Sequence, residues 1–359
     1  MSGRTTIPFG PQHPVFPEPL HLDLVMEDEV IVEALPSIGF VHRGLEGLVN
    51  RKDFLDFVYI AERICGICSF IHGMTYCMAI EEIMKIEIPP RANYLRTVWS
   101  ELSRIHSHLM WLGFTSDAFG FENLFMNTWR IREKILDIIE ATTGGRVIFG
   151  SCKVGGVRRD IDNATLVDIV RKLEDYTQDI EEITNIFLKD SSVKHRLIGT
   201  GVLTKEEAYA LGAAGPTLRA SGVAQDMRKL GYAAFKDIVF EPVIEQDGDS
   251  YARCKVRIRE IFCSIDMIGQ AVRKIPKGPV EVKVTGAPSG EIFVRTEQPR
   301  GEVIYYAKAN GERFLQRLRV RTPTFANIPA LVKILPGCEL ADVPVLVLTI
   351  DPCISCAER

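Results

Sequence analysis

From Tyr94 onward, apolar side chains recur at Leu95, Val98, Trp99, Leu102, Ile105 and Leu109, three or four residues apart. That spacing lines one face of a helix. The same period runs through Leu166, Ile169, Val170, Leu173, Tyr176, Ile180, Ile183 and Phe187. These two stripes are read as the core of a helix bundle rather than a cofactor box. Nearer the N-terminus, "LHLDLVMEDEVIVEA" alternates apolar and polar positions on either side of an acidic turn, as in a hairpin. Past Pro279, "PVEVKVTGAPSGEIFVRT" and "GEVIYYAKANG" alternate again between Gly and Pro breaks and read as hairpin strands. "VPVLVLTI" reads as a short buried strand running into the C-terminal residues. The expected class is α+β, a central helical bundle with small flanking antiparallel sheets. It forms one domain over 1–359: an N-terminal β region over 1–45, a mainly helical part over 46–235 and a mixed part over 236–359.

Composition narrows the setting. The 359 residues can bury a sizeable core, and 46% apolar with 25% charged residues is ordinary for a soluble globular chain. A net charge of −4 gives no reason to expect nucleic acid as a partner. No apolar run approaches the ~20 residues of a membrane-spanning helix, and the N-terminal "MSGRTTIPFGPQHP" lacks the apolar stretch of a secretory signal. A cytoplasmic location follows as the expectation, with docking on a membrane protein left open.

The nine cysteines argue against a disulfide framework, because an odd number is scattered through a long chain. Cys152, Cys254, Cys263 and Cys338 stand alone and are expected to be small buried apolar residues. Two pairs differ: Cys65 and Cys68 in "ERICGICSFIH", and Cys353 and Cys356 in "DPCISCAER". Two CxxC pairs supply four thiolates to one metal site. Spacing alone leaves structural zinc, an iron–sulfur cluster and other metal chemistry open. Against a zinc knuckle stand the near-full chain length between the pairs and the apolar, helical setting expected for the first pair.

"RICGIC...H" together with a terminal "DPCxxC" resembles the two signature motifs of [NiFe] hydrogenase large subunits. "GPQHP", "GFVHRGLEGL", "SELSRIHSHLMWLG" and "GPTLRASGVAQDMRK" are similar to the quinone-site subunit of respiratory complex I, whose members lack the cysteine pairs. Both signals in one chain fit the membrane-bound, energy-converting (Ech/CO-induced) hydrogenases, and the length fits that group. The resemblance covers nearly the whole chain.

The resemblance implies a [NiFe] hydrogenase large-subunit fold and a nickel–iron centre. Cys65, Cys68, Cys353 and Cys356 would bind nickel, with Cys68 and Cys356 bridging to an iron that carries CO and cyanide. Cys353 would be the first proton acceptor in heterolytic H2 cleavage. Glu18, in "HPVFPEPLH", falls at the family's proton-relay glutamate. His72, one helical turn after Cys68, would support a bridging sulfur from outside the ligand set. Arg300, in "EQPRGE", matches the arginine beside the cyanides, a role that suits a guanidinium in a dry pocket. Thr324, in "RTPTF", would be a second donor there, and Asp351 would orient Arg300 or its loop. His42 and Arg43 are expected near a [4Fe–4S] cluster of a partner subunit. His106 and His108 lie two apart on a helix and so face different ways. "TGGRVIFGSCKVGG" lacks the ending of a phosphate loop and reads as tight turns.

One position departs from the pattern. Many such subunits end in CxxCxxH, whose histidine shares a second metal with a glutamate matching Glu46. Here Arg359 takes that place, so the second metal is not expected and Arg359 is expected to pair with Glu46. The implied partners are a small subunit carrying [4Fe–4S], ferredoxin-like electron carriers and integral membrane subunits that move ions. The location is then peripheral, on the cytoplasmic side of the cell membrane. Two rivals remain at this point: a non-catalytic, complex I-like electron-transfer subunit and a zinc-stabilised scaffold.

Overall fold

The computed structural model describes residues 4–359. Strands β1 (Arg4–Phe9), β2 (His21–Glu27) and β3 (Val30–Ser37) form an antiparallel sheet in sequence order. Alternation places Leu22, Leu24 and Met26 on its buried face. The chain then enters α1 (Phe57–Glu62), α2 (Ser69–Met84), α3 (Pro90–Ala118) and α4 (Glu122–Thr143). A small hairpin follows, β4 (Cys152–Lys153) with β5 (Gly156–Val157), in the glycine-rich stretch read as tight turns. Next come α5 (Asn163–Lys189), the short helices α6 (Ser191–Leu197), α7 (Lys205–Ala210) and α8 (Gly215–Arg219), and the long α9 (Ser250–Lys274). A second antiparallel sheet holds β6 (Ser289–Gln298), β7 (Gly301–Asn310) and β8 (Arg317–Arg321). Helices α10 (Pro323–Ile334), α11 (Val343–Ile350) and α12 (Ile354–Glu358) end the chain.

Helix α3 is the axis of the molecule. It is buried on almost every face, packed by α2, α4, α9 and α11. Its apolar stripe does enter the core, as the periodicity predicts, but its polar face is buried as well. The blocks "SELSRIHSHLMWLG" and "GPTLRASGVAQDMRK" meet there. Glu101 accepts from Arg228 Nη1 at 3.0 Å, Arg219 reaches Glu260 at 2.6 Å and Glu297 at 2.8 Å, and Arg228 holds Asp226 at 2.7 Å. Such a network tolerates burial only because each charge has a partner.

Three local expectations are corrected. "VPVLVLTI" is helix α11, not a strand. Where every position is apolar, period 2 and period 3.6 cannot be told apart. Pro344 in the first turn suits a helix start, and the last carbonyls are met by Trp111 Nε1 on Leu348 O (2.8 Å) and Arg257 Nη2 on Ile350 O (2.9 Å). "PVEVKV" forms no strand of the second sheet. It makes only a bridge from Glu281 to Gly156, because β4 and β5 are too short to extend the pairing. Finally, Cys263 and Cys338 are only partly buried, whereas Cys152 and Cys254 are buried as expected.

Candidate metal centre

The two cysteine pairs converge in the core. Cys65 Sγ lies 3.2 Å from Cys353 Sγ, and Cys68 Sγ lies 3.3 Å from Cys356 Sγ. The sulfurs of Cys65, Cys68 and Cys356 are all within 4.8 Å of one another. All four side chains are buried, and none forms a disulfide.

The local chain explains how. Cys65 does not sit on a helix, contrary to expectation: it lies in an irregular turn between α1 and α2. There its sulfur accepts from the Ile67 amide (3.2 Å) and the Cys68 amide (3.4 Å). A sulfur that accepts two amides has to lie over its own chain, which helical backbone does not permit. Cys68 is the residue before α2, and Cys353 is the residue before α12. The first pair thus ends at a helix start, and the second straddles one. Burial pushes the Cys65 thiol up, but hydrogen bonds from the other three cysteines and the charge of Arg300 bring it well below its ordinary value.

Arg300 occupies the two-residue turn between β6 and β7, where Gln298 pairs with Gly301. The hairpin tip is driven into the core, so its guanidinium is buried. Nε donates to Asp351 O (2.8 Å), Nη2 to Asp351 Oδ1 (2.7 Å) and Nη1 to Ser107 Oγ (3.2 Å). Gly215 makes this approach possible: a Cβ there would lie 2.4 Å from Arg300 O. Asp351 follows α11 in the left-handed region, at φ 58°. Its Oδ2 has no hydrogen-bond partner among the described residues, with Arg257 Nε 3.9 Å away, and burial raises its carboxyl above the usual range against the opposing charges of Arg300 and Arg257.

His72 is buried, with Nε2 3.3 Å from Cys356 Sγ and Nδ1 2.8 Å from the Tyr305 hydroxyl. Burial depresses its pKa to about 4, so the ring is neutral near pH 7. Thr324, in the first turn of α10, accepts from the Cys353 amide at 3.0 Å. Glu18 lies against the same segment: its Oε2 accepts from the Ile354 amide and, at 3.2 Å, the Ser355 amide, and its Oε1 accepts from Ser355 Oγ. Between Glu18 and Arg300 is a narrow cavity walled by Phe16, Leu20, Trp111 and Phe114.

Arg43 stitches the two pairs together. Its guanidinium donates to the carbonyls of Arg63 (3.0 Å) and Ile64 (2.9 Å) ahead of Cys65, and of Ser355 (2.9 Å) ahead of Cys356. His42 Nδ1 donates to Glu358 O at 2.6 Å. Both residues are exposed, as is Gly66 of the first motif. Glu46 is held by Arg359 (2.8 Å), Arg319 (2.7 Å) and the Val320 amide (2.8 Å). His106 and His108 diverge, toward Ile67 O (3.1 Å) and Glu260 (2.9 Å). Sequence reasoning missed Tyr305, Ser107 and Ser355. Tyr305 and Ser107 are ordinary polar residues whose contacts, to His72 and Arg300, span much of the chain; Ser355 stands inside the second cysteine pair, but its contact with Glu18 forms only in the fold.

The donor set fits a thiophilic metal. Four converging thiols in a dry pocket, with a guanidinium and an imidazole beside them, suit nickel or another soft ion and leave hard cations without oxygen ligands.

Comparisons with known proteins identify the family. The model of the respiratory-chain NADH dehydrogenase 49 kDa subunit matches residues 119–286 and 282–359, and that of nickel-dependent hydrogenases matches residues 43–114. The membrane-bound hydrogenase subunit alpha of Pyrococcus furiosus is 38% identical over 98% of this chain and 87% of its own length. The carbon monoxide-induced hydrogenase of Rhodospirillum rubrum is 38% identical over 99% of both chains. A chain of the membrane-bound sulfane sulfur reductase, an archaeal respiratory membrane complex, superposes with a TM-score of 0.94 at 30% identity, over 99% of this chain and 98% of that one. No described helix is long and apolar enough to cross a membrane. The chain belongs to the family that joins the large subunits of membrane-bound, energy-converting [NiFe] hydrogenases to the 49 kDa subunit of respiratory complex I.

Proposed function

We propose that this chain is the catalytic subunit of a [NiFe] hydrogenase, interconverting 2H+ + 2e− and H2. The observation that carries the reading is the convergence of all four motif cysteines, 3.2 and 3.3 Å apart in two pairs. Cys65, Cys68, Cys353 and Cys356 would hold a nickel–iron centre, with CO and cyanide on iron. That centre supplies two-electron chemistry at a soft, polarising site.

The chain's own residues do the rest. Cys353 holds the proton nearest Glu18, which binds the next two amides and can pass the proton outward. His72, neutral, donates Nε2–H to Cys356 while Tyr305 donates to Nδ1, which fixes the tautomer. Arg300 presents a desolvated cation to anionic ligands, held in place by Asp351. The apolar walls beside Glu18 and Arg300 exclude water and admit a small apolar gas. Electrons would enter through a partner's [4Fe–4S] cluster on the exposed face of His42, Arg43 and Gly66, drawn from ferredoxin. Ion transport would belong to membrane partners.

A second reading has one observation in its favour: the fold also serves a complex named as a sulfane sulfur reductase. Metal analysis and infrared spectroscopy on anaerobically purified complex separate the cases. Nickel and iron with CO and cyanide stretches are expected; zinc without diatomic bands would falsify the hydrogenase reading. A Cys353→Ser variant that still evolves H2 would also overturn the role of that thiol.

A further inference from the structure

Glu62, three residues before Cys65, is 1% exposed, and neither of its carboxylate oxygens has a hydrogen-bond partner among the described residues. The other buried acids described above have partners, so this one stands apart. Its seat is shaped for it. Gly73 of α2 faces the side chain, and a Cβ there would come within 2.6 Å of Glu62 Cγ. Gly150 closes the far side, with its virtual Cβ 3.5 Å from Oε2. Beyond that lies Ser151, whose buried hydroxyl is also unpartnered. The charged groups acting on Glu62 are Arg158, after β5, and Arg63, after α1; both are exposed. The Arg158 guanidinium stacks on Tyr59 at 4.4 Å, over the same helix that carries Glu62.

A bare carboxylate without partners is costly in such a place, so the group favours its acid form. Burial raises it to about 7, with Arg158 and Arg63 pulling it back. Both protonation states are therefore accessible at working pH, as a relay requires.

We propose that Glu62 is a proton-holding group of this enzyme, attached to the N-terminal cysteine pair as Glu18 is attached to the C-terminal pair, and exchanging its proton with solvent on the Arg158 face. The inference rests on the hydrogenase reading. The step is simple proton exchange: the carboxylate takes H+ released in H2 cleavage and returns it to water, with no change in its oxidation state.

The test is infrared difference spectroscopy of the intact complex, H2-reduced minus oxidised, across pH. A protonated-carboxyl C=O band that shifts in D2O and titrates near pH 7 is expected in the native complex. It should vanish in Glu62→Gln, which keeps the side-chain shape. Arg158→Ala, a surface change, should move the midpoint upward. Gly73→Ala should shift the band by crowding the carboxyl. A spectrum identical in native and Glu62→Gln complexes overturns the assignment, as does a band that ignores Arg158→Ala. The CO and cyanide stretches in the same spectrum test the hydrogenase reading separately: their absence sinks that reading, whereas their presence with an unchanged acid band sinks only the role of Glu62.

Discussion

Arg300 and Asp351 meet through two hydrogen bonds, one to the backbone oxygen (2.8 Å) and one to Oδ1 (2.7 Å), across 51 residues of sequence. The pair joins the β6–β7 hairpin tip to the turn that carries Cys353, so it sets where the second cysteine pair sits relative to the first. Arg300→Leu strands a buried carboxylate and should cost about 3–5 kcal/mol in unfolding free energy. Arg300→Lys keeps the charge but loses the fork, so stability should suffer less while H2 turnover falls by about 10²-fold or more. Denaturant unfolding and H2 evolution on the two variants check this. Equal turnover in Arg300→Lys and native protein would remove the electrostatic role.

Glu18→Gln keeps acceptors for the Ile354 and Ser355 amides but cannot carry a proton. Metal content should stay native while H/D exchange during H2 turnover slows. Exchange at the native rate with full metal content would rule out the relay.

Arg43 holds three carbonyls beside the two cysteine pairs. Arg43→Ala should loosen both segments, costing about 2 kcal/mol and lowering metal retention under chelator challenge. Loss of electron delivery with unchanged metal retention would instead favour a purely cluster-facing role.

Two buried histidines besides His72 predict acid sensitivity. Burial lowers His106 to about 3 and His108 to about 4, so the fold keeps them neutral while the unfolded chain takes up protons near pH 6.5. Their contribution to stability is present above pH 6.5 and is lost as pH falls through those lower values, at roughly 2 kcal/mol each between neutral pH and pH 5. Glu62 works in the opposite sense. Its folded value of about 7 exceeds its unfolded one, so its contribution is full below the unfolded value and disappears as pH rises through about 7. Glu62→Gln removes that opposing contribution and should steepen the acid sensitivity; His108→Gln should flatten it. Urea unfolding at pH 7 and pH 5 tests both, and an identical slope in all three proteins would contradict this account.

The legible parts share a physical cause. The stripe on α5 and the hairpins β2–β3 and β6–β7 have one buried face each, so periodicity marks them; α3 is buried nearly all round, and its stripe is legible because the remaining buried positions are polar. Helix α11 is buried on nearly every side, so its period is silent and its type was misread. The turn at Cys65 was misread for a related reason: its shape comes from amide–sulfur bonds, which composition does not encode. In the complex I-like blocks the sequence shows charged residues, and only packing shows that Glu101, Arg219, Asp226 and Arg228 neutralise one another in the core.

By itself the sequence determined the four thiols, their spacing and the family to which they belong, because ligand identity and local spacing are properties of the chain. The tertiary structure alone decided what surrounds them. Arg300 enters on a hairpin tip, Tyr305 aligns His72, and Arg43 ties both pairs, through contacts spanning from 20 to more than 300 residues. Glu62 is left without a partner for the same reason. Whether a buried polar group finds a partner depends on which distant segments pack around it, and that is settled only when the chain closes on itself.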